Sequence, residues 1–396
     1  MLKFCIERMI GNKAYPNLTK HEAVPFTQGW NEFSIKHPFS ETVVLLEHLT
    51  EHYIDYEIVS IKNADSETFY PIALSFFDFS IDWFSMMPKQ LLDKLRDENI
   101  KILFYYSEGD NPYVIDKHLT KQCTENDIPR NQVKFISANS EASKIDNFFT
   151  VVDDELLYRY RNKNFISARY TETPREKKYT ALVRMHKYWR ANTMATIWQQ
   201  RLDTDGYFAY GNTTHSGESE DDNPIEVDRY YGLRQLTRTF MATLPFEADT
   251  LSDDDRNNHT LHVNEHFENA YINIVLESHM DVDQSNGVFL TEKTFKPIKH
   301  SQMFIIFGAQ GSLQLLRDMG YKTFDHVLDN KYDLIENTTE RWKTAIDMVV
   351  NLLGNTNEEL RKMYIKCKDD IIHNAELYNG SKESRLNKLL EELQND

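Results

Sequence analysis

Short apolar runs alternate with helix-like segments along most of this chain, and that alternation limits the fold more than any other feature. Residues 56–61, 69–77, 100–106 and 132–137 read as strands, while residues 42–52, 88–96 and 113–124 carry helical apolar spacing. Pro88 suits the start of a helix, where its missing N–H has no bond to lose. Strands separated by helices predict an α/β fold with a mostly parallel sheet. Ligands of such sheets lie beyond the carboxyl ends of the strands. The residues that end each strand therefore carry most of the functional information.

The pattern breaks once and restarts. From residue 158 to 201 basic residues dominate, including Arg159, Arg161, Lys163, Arg175, Arg184, Lys187 and Arg190, with tyrosines, Phe165 and Trp189 interleaved. Residues 171–178 look like a linker. After it, residues 179–183, 206–211, 270–277 and 303–308 read as strands, and residues 190–202, 228–244, 311–319 and 340–353 as helices. The tail, residues 357–393, is amphipathic at helical spacing. A chain of 396 residues suits two cores rather than one. The expected division is residues 1–174, residues 175–355 and a helical tail, residues 356–396.

Composition narrows the class. A net charge of −17 argues against a protein that coats nucleic acid nonspecifically, while leaving room for a local basic groove. Cys5, Cys123 and Cys367 are too scattered for a disulfide framework or a metal spacing, which points to a reducing, cytoplasmic setting and to buried thiols. The first ten residues are too charged for a signal peptide, and no run approaches the ~20 apolar residues of a membrane span.

The densest chemistry lies between the last two strand signals. In Phe289-Leu290-Thr291-Glu292-Lys293, Thr291 can cap a helix whose first turn holds Glu292 and Lys293. A helix start offers free N–H groups and partial positive charge, and a lysine there favours a phosphate. Glu292 adds an acceptor for hydroxyls such as those of a ribose. Upstream, Arg184, His186, Lys187 and Arg190 follow the first strand of the second domain, and guanidinium forks match phosphate oxygens. Together with Lys293 they would form a diphosphate clamp; the plain alternative is a solvated basic loop. Glu277, with Ser278 at its own strand end, would hold a base edge, a ribose or a sugar hydroxyl, or simply face water.

Two acidic patterns imitate metal sites. Asp281-Val-Asp283 has the Asp-x-Asp form of metal-dependent sugar transferases, and His262 and His266 have helical i, i+4 spacing. Neither brings further ligands, so a solvated loop and a surface helix are expected, with no metal cofactor. For a general base, Glu108 in the turn Ser107-Glu-Gly-Asp-Asn-Pro112 and Asp78 end strands of the first domain, with Asp82 close by. No Walker loop, dinucleotide glycine motif or Ser/His/Asp signature is present.

A strand ending in Glu277-Ser278, then Phe289-Leu-Thr-Glu-Lys293, then an apolar strand ending in Gly308 resembles the donor-binding domain of the α-1,3-fucosyltransferase family and its phage-encoded relatives. That family carries a Glu-Asn-Ser triplet, of which one residue is missing here, and a proline before its last strand glycine, also missing. The resemblance covers mainly residues 178–320. It implies the GT-B fold, two Rossmann-like domains facing across a cleft, with no obligatory metal and inversion at the anomeric carbon. It further implies that Lys293, Arg184 and Arg190 bind the diphosphate, that Glu292 binds the ribose, and that Glu108 is the base. The expected partners are a UDP- or GDP-linked sugar and an acceptor that is a glycan or a 5-hydroxymethylated base of phage DNA. The basic, ring-rich stretch favours DNA and the overall charge favours a glycan. A GT-B-like binding module without catalysis, or a GT-B-type sugar-nucleotide epimerase, are the competing readings.

Overall fold

The computed structural model describes residues 1–5, 8–10, 13–15, 56–74, 82–85, 87–106, 109–150, 169–213, 232–246, 264–280, 286–380 and 392–393. The chain forms two compact units. The first comprises Met1–Arg161, Asp283–Phe289 and Lys382–Asp396, and the second Asn162–Val282 and Leu290–Ser381.

Strands of the first unit are β1 (Leu2–Phe4), β4 (Tyr56–Ile58), β5 (Thr68–Leu74), β6 (Lys101–Tyr106), β7 (Val133–Ser137) and β8 (Phe148–Thr150). A small antiparallel pair, β2 (Arg8–Ile10) and β3 (Lys13–Tyr15), stands apart. The six-stranded sheet has the order β4-β1-β5-β6-β7-β8 and all its pairings are parallel. Strand order therefore reverses between β1 and β5, as in doubly wound sheets. Helix α1 (Lys89–Arg96) buries Leu91 and Leu95, and α2 (Pro112–Glu125) buries Ile115, Leu119 and Cys123. Asn111 caps α2 by accepting the Tyr113 N–H at 3.1 Å, with Pro112 at the first helical position. The core beneath is aromatic: Phe135 stacks on Phe148 at 4.9 Å, and Trp83 meets Phe104 edge-on.

Residues 286–289 complete this unit. Val288 exchanges two hydrogen bonds with Ser140, donating its N–H to the Ser140 hydroxyl and accepting the Ser140 N–H. The Phe289 ring lies so close to Gly109 that a Cβ there would sit 2.2 Å from it. Only glycine fits that turn.

In the second unit the strands are β9 (Lys177–Met185), β10 (Gly206–Thr213), β11 (Ala270–Leu276) and β12 (Met303–Phe307). They pair in parallel in the order β10-β9-β11-β12, so this sheet also reverses beside its first strand. β11 and β12 are buried throughout, as strands covered on both faces are. The helices are α3 (Tyr188–Gln199), α4 (Arg234–Met241), α5 (Asn264–Glu268), α6 (Glu292–Lys299), α7 (Ser312–Asp318), α8 (Thr338–Leu353), α9 (Asn357–Lys366) and α10 (Lys368–Gly380). α8 packs on α3, where the Trp342 indole N–H donates to the Thr193 hydroxyl at 2.9 Å, and α10 packs on α6.

Within the expected helical tail, α9 and α10 meet at Cys367, and both are part of the second unit. The expected linker also holds structure. Arg175 is buried, and its guanidinium donates to the carbonyls of Phe267, Ala270 and Ser301 and to the Tyr364 hydroxyl. One side chain thereby ties the entry of β9 to α5, β11, the turn after α6, and α9. The three cysteines are buried, as expected. Among the described residues no helix is long and apolar enough to cross a membrane. The expected helix at residues 42–52 lies outside the described residues.

Candidate functional site

The candidate site lies at the carboxyl edge of the second sheet, where β9 and β11 adjoin at the reversal of strand order. Loops on either side of such a reversal leave in opposite directions, which opens a crevice for a ligand. β9 ends in Val183-Arg184-Met185 and is followed by His186, Lys187 and α3. β11 ends before Glu277-Ser278, and α6 begins after Thr291. Arg190, Glu277, Thr291, Glu292 and Lys293, all expected in the site, come together here, and Arg184 lies close enough to act on Arg190, whereas His186 bonds to Tyr210 of β10.

Their charges are coupled. Burial pushes the Arg190 guanidinium below its ordinary value, the nearby Glu277 and Glu292 carboxylates pull it back up, and Arg184 pushes it further down. Lys293 pairs with Glu292 at 3.1 Å and is about one-third exposed, and Arg184 is half-buried. The path of β9 at Arg184 depends on Gly211, whose Cβ, if it had one, would lie 2.9 Å from the Arg184 carbonyl oxygen. His186 shares a 2.8 Å hydrogen bond through Nδ1 with the buried Tyr210 hydroxyl.

Glu277 departs from expectation. Its side chain is fully buried rather than turned toward a ligand. The carboxylate accepts the Ser278 N–H at 3.1 Å, the Thr291 N–H at 3.1 Å, the Thr291 hydroxyl at 2.7 Å and the Thr294 hydroxyl at 2.6 Å. A carboxylate has about four acceptor positions, so these four donors fill it. It holds the start of α6 against the end of β11. Its carbonyl oxygen is fixed as well, by the Arg190 guanidinium at 2.9 Å and the Trp189 indole N–H at 3.3 Å.

The basic segment divides accordingly. Lys187 donates to the Ser278 carbonyl at 2.6 Å and Arg190 to the Glu277 carbonyl, so both act on the chain itself. Arg341, from α8, adds a third cation, itself buried: it donates to the carbonyls of Met280 at 2.6 Å, Ile335, Glu336 and Gly308. Residues 277–280 are thus held by Lys187, Arg190 and Arg341 through backbone oxygens. Among the described residues of the basic segment, Tyr179, Tyr188 and Trp189 are core side chains and not an exposed stacking surface.

Sequence reasoning missed Trp189, Thr294, Ser278 as a hydroxyl, Tyr210 and Arg341. One signal was present: Thr291 and Thr294 are three residues apart, which puts both hydroxyls on one side of a first turn. Glu108 and Asp78 lie outside the described residues, as do Asp281, Asp283 and His262. Asp82 accepts the Phe84 and Ser85 N–H groups, as a turn-forming acid does. His266 is buried, with its ring 4.5 Å from that of Tyr207, rather than on a surface helix. Among the described residues no group of three or more His, Cys, Asp or Glu could hold a metal ion.

Comparison of the chain with protein-family models, with curated proteins and with solved structures finds no match.

Proposed function

We propose that this protein is a glycosyltransferase of the GT-B type that moves a sugar from a nucleoside-diphosphate sugar to an acceptor hydroxyl, without an obligatory metal and with inversion. The observation that supports it is the Lys293–Glu292 ion pair at the start of α6, with Arg184 and Glu292 both close enough to act on Arg190 beside the reversal point of the second sheet. Two cations and a carboxylate at a strand-order reversal match a diphosphate joined to a hydroxyl-bearing ribose. Charge grows on the diphosphate as the sugar leaves. Fixed cations stabilise it without having to reorganise at that moment. His186, held by Tyr210, lines the same edge. The acceptor proton goes to a carboxylate, Glu108 or Asp78. The acceptor is a glycan hydroxyl or a 5-hydroxymethylated base of DNA.

The test is to incubate the protein with a panel of nucleotide sugars and measure released nucleoside diphosphate, with and without hydroxymethylated DNA and with EDTA present. Turnover that survives EDTA is expected. Absence of turnover with every donor, together with no thermal shift on adding UDP or GDP, removes the transferase reading. Binding without turnover leaves a non-catalytic module.

A further inference from the structure

We infer that Glu277 is the positioning residue of the phosphate seat, acting through Thr291 on Lys293 and never touching the ligand; this rests on the diphosphate-binding reading above. The Thr291 hydroxyl has one proton, and it goes to Glu277 at 2.7 Å. Its oxygen is left to act as an acceptor. It takes the Lys293 N–H at 3.3 Å and the Lys293 ammonium at 3.1 Å. Ser278 repeats the arrangement: its N–H donates to Glu277, and its hydroxyl oxygen lies 3.4 Å from the Lys293 ammonium. Both oxygens beneath Lys293 therefore belong to residues that Glu277 holds.

Glu277 itself cannot shift to follow a ligand. Its carbonyl is anchored by Arg190 and Trp189, and its carboxylate has a full set of donors. Without the negative charge, the Thr291 hydroxyl is free to turn its proton toward the lysine. Lys293 then loses the Thr291 oxygen, keeps the Glu292 carboxylate as its main partner and swings toward it about its four-carbon stem. A buried carboxylate thus fixes the direction of one hydroxyl, and that hydroxyl fixes the ammonium.

The test is a double-mutant cycle on the full-length chain, read by calorimetry with inorganic pyrophosphate, UDP and GDP as probes. The variants are Glu277→Gln, Lys293→Ala and both together. Residues of one hydrogen-bond network couple strongly, whereas independent sites add. Glu277→Gln should weaken pyrophosphate binding about tenfold when Lys293 is present and less than about twofold when it is absent. Equal losses in both backgrounds, or no loss in either, would overturn the proposal. If the wild type binds none of the three probes, the diphosphate reading fails and the proposal with it. If Lys293→Ala weakens binding but Glu277→Gln is additive with it, only the positioning role fails. Should Glu277→Gln not fold, Thr291→Val takes its place in the cycle. It removes the bridging oxygen and leaves the carboxylate, and additivity there is equally fatal.

Discussion

The Thr294 hydroxyl donates to the Glu277 carboxylate at 2.6 Å, joining the first turn of α6 to the end of β11 inside a fully buried environment. A hydrogen bond to a charged group contributes more than a neutral one, and a buried carboxylate deprived of a donor keeps its desolvation cost. Thr294→Val should lower unfolding free energy by about 1.5–3 kcal/mol, while Thr294→Ser retains most of it. Urea unfolding followed by circular dichroism provides the measurement. No loss for Val, or a larger loss for Ser than for Val, would show that the methyl group matters and the hydroxyl does not.

Arg341 offers a harsher case. Its guanidinium is buried and is satisfied by carbonyl oxygens of four residues. Arg341→Ala leaves those oxygens without their donor and opens a cavity beneath residues 277–280. A loss of about 3–5 kcal/mol is expected in the same unfolding assay, because several carbonyls lose a charged donor at about 1–3 kcal/mol each.

Under the transferase reading, Lys293→Ala should weaken UDP or GDP binding by about 1–3 kcal/mol, the range of a charge-assisted hydrogen bond. Titration calorimetry at fixed ionic strength measures it. An unchanged affinity would take Lys293 out of the site.

The thiols give a simple check of burial. Burial pushes Cys123 up to about 11 and Cys367 up to about 12, so neither forms thiolate at neutral pH, and Cys5 is buried as well. Since the thiolate is the reactive form, a disulfide reagent should label none of the three in the native protein and all three in urea. Fast labelling of Cys123 or Cys367 without denaturant would contradict the packing.

Asp333 introduces a pH dependence of the less common sign. It accepts the Leu313 and Gln314 N–H groups at the start of α7, yet burial outweighs them and pushes its carboxyl above the ordinary range. The folded state then holds this proton more tightly than the unfolded chain does. Its contribution to stability is complete below the unfolded value, near ~4, and is lost as pH rises through the folded value. In Asp333→Asn this loss is absent, so the stability gap between wild type and variant should narrow as pH rises from ~4. Urea midpoints taken across that range test it; a gap that widens would reverse the assignment.

Much of the framework was legible in the sequence because period and punctuation are local. β6, α2, β11, β12 and α8 follow from apolar runs, Pro112, and the glycine that ends an apolar strand. That the end of β9 and the start of α6 lie along one sheet edge was also legible, since strand ends of a parallel sheet share one edge. What a string of letters hides is the direction in which a charged side chain points. Arg175, Lys187 and Arg190 read as solvent or ligand cations, but each donates to main-chain carbonyls, as does Arg341, which sequence reasoning missed. Carbonyls leave no mark in sequence, because every residue has one. Glu277 misled for the same reason: its partners are two hydroxyls and two backbone N–H groups that depend on tertiary placement.

The first unit takes its residues 283–289 from a point in the chain beyond much of the second. The consequence is one of timing during synthesis. Gly109, Asn139 and Ser140 leave the ribosome long before Gly287, Val288 and Phe289, which cover them. The first unit therefore cannot finish folding as an independent N-terminal piece. A chain cut after residue 161 should expose the Gly109 turn, and gene fragments ending there should yield an incomplete, sticky product even though their sheet is whole.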